Sequence, residues 1–78
     1  MKVKVFTTKD CKYCPSVKKY LDSIGKKYEV VDCSANPDAI QEVYELSGVL
    51  TVPQTVCYNG DETIVIVGVN YGKLAKLP

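Results

Sequence analysis

The sequence predicts an α/β protein whose elements follow the order β-α-β-α-β-β-α, with a four-stranded mixed sheet flanked by three helices. Short apolar segments typical of strands alternate with stretches whose apolar residues recur at helical spacing. Glycines and prolines stand where helices should begin or end. This alternation predicts a parallel strand pair in the first half and an antiparallel hairpin in the second, within one domain of residues 1–78.

Strand and helix signals place the parallel pair in the first half of the chain. Strands are predicted at residues 2–7 and 28–32, where apolar and β-branched residues cluster. The helix between them begins near Pro15, whose missing N–H costs nothing in a first turn, and ends at Gly25. Four residues at helical spacing form its predicted apolar face: Val17, Tyr20, Leu21 and Ile24.

A second helix is predicted after the second strand. Asn36 is expected to cap it, with Pro37 in the first turn, because asparagine is favoured before a helix and proline at its start. Gly48 is expected to end this helix. Its apolar stripe is predicted to consist of Ile40, Val43, Tyr44 and Ser47.

The second half of the chain predicts a hairpin and a short final helix. Strands are expected at residues 54–58 and 63–67, and the Asn59-Gly60 pair between them is a hairpin signal. Asn70 is expected to cap the final helix, which would run to about residue 77. We see no internal repeat or linker, in agreement with a single domain.

Charge is balanced, with 10 basic and 9 acidic residues and a net charge of +1. The charges are interspersed, which argues against nucleic acid or an anionic membrane as a partner. The chain has no histidine, so the usual general base and the commonest metal ligand are missing. No apolar run approaches the ~18 residues of a membrane span. We therefore expect a cytoplasmic monomer that holds no metal and binds neither nucleic acid nor membrane.

A C-x-x-C motif, formed by Cys11 and Cys14, lies where the first strand leads into the first helix. Residues three apart on a helical turn have Cβ atoms roughly 5–6 Å apart, which is close to disulfide geometry. Cys11 is expected at the helix N-terminus, where unpaired N–H groups and the helix dipole favour the thiolate. Lys9 and Lys12 add positive charge, while Asp10 opposes them. A cysteine nucleophile can therefore act here without histidine.

The positions of the two cysteines predict an order of action. Cys11, at the edge of the loop, is expected to be accessible and to attack a substrate disulfide. Cys14, on the apolar side of the helix, is expected to be partly buried and to resolve the mixed disulfide. A zinc half-site and a static disulfide are the alternative interpretations. Zinc prefers four ligands, whereas Cys33 and Cys57 are isolated in the sequence and fit buried, inert thiols.

The segment Thr51-Val52-Pro53 precedes the third strand and is predicted to contain a cis Val52–Pro53 bond. Trans is the default for such a bond, but an upstream C-x-x-C pair at a strand–helix junction favours cis. A cis bond would turn the backbone of Val52 towards the thiols, where its N–H and C=O would pair with an extended substrate. Tyr13, inside the motif, is also predicted to contact substrate.

Together these motifs resemble the glutaredoxin family, whose members have the thioredoxin fold. The resemblance covers nearly the whole chain and rests on the C-x-x-C pair, on Thr51-Val52-Pro53-Gln54 and on Gly68 before the last helix. It implies a dithiol–disulfide oxidoreductase that reduces protein disulfides or glutathione mixed disulfides. It also implies glutathione as the co-substrate, with no cofactor bound tightly.

The resemblance further implies roles for individual residues. Cys11 resembles the attacking cysteine and Cys14 the resolving one. Val52 matches the residue whose backbone pairs with the cysteinyl part of glutathione, and residues 68–71 match the segment that holds the γ-glutamyl carboxylate. The full set of implied substrate-binding residues is Lys9, Tyr13, Thr51, Val52, Pro53, Gly68, Asn70 and Tyr71.

The chain departs from the family pattern at several charged positions. Lys9 lies one position closer to the motif than the lysine of many glutaredoxins. Val49-Leu50 stand where a basic residue is common, and Asn70-Tyr71 replace an acidic pair. These departures and the brief final helix resemble the redoxins that serve ribonucleotide reductase, so thioredoxin reductase is the alternative partner and electron donor. Carriage of an iron–sulfur cluster with glutathione is a second alternative, which the resolving cysteine disfavours.

Overall fold

The structure, a computed structural model, describes residues 2–78. Strands and helices alternate in the order that the sequence predicts. Their bounds are β1 (Lys2–Thr7), α1 (Cys14–Ser23), β2 (Glu29–Asp32), α2 (Pro37–Ser47), β3 (Gln54–Asn59), β4 (Glu62–Val67) and α3 (Tyr71–Leu74). Within residues 2–78, no helix is both long and apolar enough to cross a bilayer.

The four strands form one mixed sheet in the order β2-β1-β3-β4. β1 pairs with β2 in parallel, with Val5 opposite Val30, and with β3 in antiparallel, with Val5 opposite Thr55. β3 and β4 form the antiparallel hairpin. The mixed sheet with its three helices confirms the predicted fold class.

The core lies on both faces of the sheet, because successive side chains of a strand point to opposite sides. One cluster packs α1 and α3 against the sheet and consists of Val3, Val5, Val17, Leu21, Cys57, Ile66, Leu74 and Leu77. The other packs α2 against the opposite face and consists of Phe6, Cys33, Ala39, Val43 and Val56. The sheet is therefore the middle of three layers, and β1 and β3 lie at its centre.

Helix α1 begins and ends close to the predicted positions. Pro15 occupies its first turn. At its end the N–H of Lys26 donates to the carbonyl of Leu21 at 2.9 Å, and that of Gly25 donates to Asp22 at 3.2 Å. Gly25 has a φ of 71°, so this is a Schellman motif of the kind that requires a left-handed residue. The predicted end at Gly25 is confirmed.

Helix α2 corrects two of the sequence predictions. Its buried residues are Ala39 and Val43, whereas Ile40 is 41% exposed and Tyr44 is 48% exposed. Residues 40 and 44 lie one step of about 100° around the helix from 39 and 43, so the apolar spacing fits either face. The predicted stripe is right at Val43 and wrong at Ile40 and Tyr44. The side chain of Asn36 makes no capping bond either; its Nδ2 donates to the carbonyl of Asp32 at 3.2 Å.

The hairpin turn and the last helix also differ slightly from expectation. Asn59 pairs with Glu62, so the two turn residues are Gly60 and Asp61 rather than Asn59 and Gly60. Of the two, only Gly60 has a positive φ, of 62°, which is the pattern of a type II′ turn. α3 ends at Leu74 rather than near residue 77, although Leu77 is still buried in the first core cluster.

Candidate active site

A disulfide joins Cys11 and Cys14 at the point where β1 leads into α1. Its S–S distance is 2.07 Å and the two Cα atoms are 5.6 Å apart. A turn shapes the loop before it, because the N–H of Cys11 donates to the carbonyl of Thr8 at 3.2 Å. The structure therefore brings together the two cysteines that the sequence singled out.

The sulfur of Cys11 lies against the N-terminus of α1. Tyr13 occupies the N-cap position, but its side chain makes no capping bond. Instead, the N–H of Cys14 donates to Cys11 Sγ at 3.1 Å. The first turn of α1 holds no acidic residue, so no carboxylate there offsets the positive end of the helix dipole. This setting stabilises negative charge on Cys11 Sγ when the pair is reduced.

The two cysteines differ in exposure. Cys14 is 1% exposed and therefore buried, whereas Cys11 is partly exposed. Lys12 and Tyr13 between them are exposed, and the Lys12 ammonium lies 5.9 Å from the centre of the Tyr13 ring. An incoming molecule can reach Cys11 but not Cys14, which is the asymmetry that the predicted order of attack requires.

The Val52–Pro53 peptide bond is cis, as predicted. Pro53 is buried, Val52 is half-buried and Thr51 is exposed. The carbonyl of Pro53 accepts a hydrogen bond of 2.9 Å from the N–H of Gly68. Gly68 adopts a φ of 76°, a conformation that favours glycine. Two segments that the sequence assigned to substrate binding, residues 51–53 and 68–71, are thus joined directly.

Gln54 follows the cis proline; the sequence places it at the start of a strand and in the motif Thr51-Val52-Pro53-Gln54, and assigns its side chain no role. It is fully buried, and its Nε2 donates to the carbonyls of Val49 at 3.0 Å and Thr51 at 2.7 Å. Both bonds end on the segment that precedes Val52. One feature of the sequence could have indicated this role: an amide side chain directly after the proline, at a strand position that faces the interior. A buried amide must form hydrogen bonds, and the nearest backbone is the segment before the proline.

The remaining predicted binding residues each contact a different part of the chain. The side-chain oxygen of Asn70 accepts from the N–H of Lys73 at 3.1 Å, so it caps α3 as predicted. The ring of Tyr71 packs on that of Tyr20, with centres 4.7 Å apart, and lines an open cavity between α1 and α3. Lys9 is exposed, and its backbone N–H donates to Ser34 Oγ at 3.2 Å.

Cys33 and Cys57 are free, buried thiols on opposite sides of the sheet. Burial raises the pKa of both thiols, and the nearby Asp32 carboxylate raises the pKa of Cys33 further. Neither thiol is therefore suited to nucleophilic attack. Among residues 2–78, no group of three or more His, Cys, Asp or Glu side chains is arranged to hold a metal ion.

Known proteins resemble this chain in sequence and structure. A glutaredoxin from Ricinus communis is 43% identical over 54 residues, which cover 65% of this chain and 53% of the relative, so the match spans about half of that protein. The glutaredoxin of Archaeoglobus fulgidus superimposes with a TM-score of 0.79 at 25% identity over 97% of this chain and 84% of its own. A buckwheat glutaredoxin–glutathione complex gives 0.57 at 34% identity over 68% of this chain and 51% of its own. Residues 3–62 match the family model described as Glutaredoxin.

Proposed function

This chain belongs to the glutaredoxin family, a family of dithiol–disulfide oxidoreductases, and we propose that it reduces disulfides through Cys11 and Cys14. The observation that best supports this is the Cys11–Cys14 bond at the start of α1, where Cys11 Sγ accepts the N–H of Cys14. The proposed substrates are protein disulfides and mixed disulfides of glutathione, with glutathione as co-substrate.

The first step takes place at Cys11 of the reduced protein. Its thiolate attacks one sulfur of the substrate disulfide, and a bond forms between that sulfur and Cys11 Sγ. The substrate S–S bond breaks, and the departing sulfur leaves with the bonding electron pair and takes up a proton. The product is a mixed disulfide between Cys11 and half of the substrate. The N-terminus of α1 assists because it stabilises the attacking thiolate.

The second step uses Cys14 as the resolving thiol. Cys14 loses its proton, and the thiolate attacks Cys11 Sγ, which breaks the mixed disulfide and releases the second substrate thiol. The bond that forms is the Cys11–Cys14 disulfide. In total, two electrons pass from the protein to the substrate, each substrate sulfur takes up one proton from solvent, and the Cys11–Cys14 pair becomes a disulfide.

For substrate binding, we propose that Val52 pairs through its backbone with the cysteinyl part of the substrate. The bond between the Gly68 N–H and the Pro53 carbonyl supports this, because it connects the Val52 segment to residues 68–71. Those residues are proposed to hold the γ-glutamyl part of glutathione. Further contacts are proposed from Tyr13, which is 57% exposed, and from Lys9 and Thr51, which are exposed. Glutathione is the ligand named for the buckwheat relative.

A stoichiometric assay tests the proposed reaction without any assumption about the electron donor. The protein is reduced with dithiothreitol, desalted and mixed with glutathione disulfide that carries a pair of self-quenching fluorophores. We expect one probe disulfide reduced per protein and formation of the Cys11–Cys14 bond, detected by loss of two alkylatable thiols. A fully reduced protein that leaves the probe intact would contradict the proposed function.

The electron donor is a separate question, with thioredoxin reductase as the second candidate. An observation in its favour is that Leu50, beside the proposed binding segment, is apolar and 62% exposed, so this position supplies no cation for a glutathione carboxylate. Turnover is measured with NADPH and either glutathione plus its reductase or thioredoxin reductase alone. We expect glutathione to sustain turnover; turnover with thioredoxin reductase only would establish the second candidate instead.

A further inference from the structure

Gln54 is buried against the backbone of the segment that precedes the cis proline. Its Nε2 supplies both of its hydrogens to that segment, one to the carbonyl of Val49 at 3.0 Å and one to that of Thr51 at 2.7 Å. The other end of its amide, Oε1, is buried and has no partner among the described residues. What the amide contributes at this position is therefore its two donated hydrogen bonds to the backbone before Val52.

The bond to Thr51 has a geometric consequence for Val52. The carbonyl of Thr51 and the N–H of Val52 belong to one planar peptide unit, and this unit is trans, because the one cis peptide bond within residues 2–78 is Val52–Pro53. In a trans unit the C=O and N–H point in opposite directions. Anchoring the Thr51 carbonyl on the buried amide of Gln54 therefore turns the N–H of Val52 away from the interior.

The backbone of Val52 is left free for an external partner. Within residues 2–78, its N–H and C=O take part in none of the loop hydrogen bonds, and Val52 lies outside the paired strands. The residues on either side are held: Val49 by the hydroxyl of Ser47, and Pro53 by the N–H of Gly68. The N–H and C=O of Val52 are therefore held in place before a substrate binds. Such groups suit an extended disulfide substrate, because binding then does not have to order this part of the backbone.

We propose that Gln54 is a positioning residue that sets the affinity of the protein for its disulfide substrate by orienting the Val52 peptide. The proposal rests on the proposed function, in which Val52 pairs with the substrate. Gln54 does not touch the reacting sulfurs, so its loss should weaken substrate binding and leave the chemistry of Cys11 unchanged. Ser47 supports the same segment from the end of α2 and should have a smaller effect of the same kind.

The test compares three variants in the stoichiometric fluorescence assay, with reduced protein in excess. Gln54→Met keeps the length of the side chain and removes both donors. Thr55→Val is the matched control, because Thr55 is the next residue, is equally buried, and has a hydroxyl without a partner and without a bond to the segment. Ser47→Ala is a milder change at a partly exposed helix end. Circular dichroism verifies the fold of each variant.

The half-saturating protein concentration and the limiting rate separate binding from chemistry. We expect Gln54→Met to raise the half-saturating concentration about tenfold, as the loss of two hydrogen bonds suggests, with the limiting rate within about twofold of wild type. Ser47→Ala should raise it roughly threefold, and Thr55→Val should change neither quantity.

An unchanged half-saturating concentration in folded Gln54→Met would overturn the proposal, and so would a loss confined to the limiting rate. If Gln54→Met does not fold, the result for Ser47→Ala is used instead. An unchanged half-saturating concentration in Ser47→Ala would show that anchoring this segment does not affect substrate affinity, which would overturn the proposal. A wild-type protein that does not reduce the probe at all would contradict the proposed function itself, and the present proposal with it. The two failures are therefore distinguishable.

Discussion

At the scale of single residues, the four cysteines fall into two chemical classes. Cys11 and Cys14 share a disulfide at the positive end of α1, whereas Cys33 and Cys57 are buried thiols with a raised pKa. The difference arises from position, since a helix N-terminus stabilises a thiolate and an apolar interior opposes it. The sequence could predict this division because the C-x-x-C spacing and the apolar neighbours of the other two cysteines are local features.

This division predicts the order in which the reduced protein is alkylated. With limiting iodoacetamide, we expect Cys11 to react first, because it is partly exposed and favoured as the thiolate. Cys33 and Cys57 should react only after denaturant is added. Peptide mapping by mass spectrometry measures the modified fraction at each site. Faster labelling of Cys57 than of Cys11 in the folded protein would contradict the structure.

A second residue-scale feature is the contact of Tyr58 with Glu42. The hydroxyl of Tyr58 donates to Glu42 Oε2 at 2.8 Å, and Lys4 lies 3.3 Å from the same oxygen. Burial, followed by the hydrogen bond to the Glu42 carboxylate, raises the pKa of Tyr58 from 10.0 to about 12. The contact joins α2 to the two central strands, so it should contribute to stability only while the phenol is protonated.

Alkaline unfolding tests the Tyr58 contact. The pKa of Tyr58 is raised by folding, so its contribution is complete below the unfolded value of 10.0 and is lost as pH rises towards about 12. We expect the free energy of unfolding in urea to fall more steeply over this range in wild type than in Tyr58→Phe. Other groups with a raised pKa, such as Cys33 and Cys57, are present in both proteins, so their effects on the free energy of unfolding cancel in the comparison. Parallel curves would show that the contact is not maintained in solution.

At the scale of elements, the helices show which parts of the fold could be predicted from local sequence. Pro15 and Gly25 bound α1 as predicted, since their effects depend only on the local backbone. The buried face of α2 could not be chosen from periodicity alone. The stripe through Tyr44 and the stripe through Ala39 both have helical spacing, and the contacts of the sheet select the second.

In the candidate site, too, contacts between residues from different segments could not be predicted from local sequence. Its disulfide pair and its cis proline were predicted from motifs in the sequence, and the structure contains both. The role of Gln54 does not follow from any motif, because its partners, Val49 and Thr51, are set by the path of the chain before the proline. Hydrogen bonds from a side chain to backbone outside helices and strands can be assigned only once the three-dimensional structure is known.

Two asparagines before helices offer a matched test of capping. Asn70 Oδ1 accepts the N–H of Lys73, whereas the side chain of Asn36 makes no capping bond to α2. We expect Asn70→Ala to lower the free energy of unfolding by about 1 kcal/mol and Asn36→Ala by less than half of that. Urea denaturation of the oxidised proteins, without substrate, measures both. Equal losses would mean that the Asn70 cap does not form in solution.

At the scale of the whole molecule, the three layers hold the site from several directions. α1, which bears the disulfide at its start, packs through Val17 and Leu21 on one face of the sheet. The cis proline segment lies between α2 and β3, and the bond from Gly68 links it to the end of β4. The sulfur that we propose as the nucleophile and the proposed binding backbone are thus held by separate elements, so we expect that affinity and sulfur chemistry can be changed independently.

The most direct test of the central claim, that Cys11 attacks and Cys14 resolves, is to map the glutathione adduct formed by each single variant. Reduced Cys14→Ser and Cys11→Ser are incubated with glutathione disulfide and digested for mass spectrometry. We predict a stable adduct on Cys11 in Cys14→Ser, because no internal thiol remains to displace it, and no adduct on Cys14 in Cys11→Ser, because Cys14 is buried. An adduct on Cys14 in Cys11→Ser, with Cys11 unmodified in Cys14→Ser, would contradict the account.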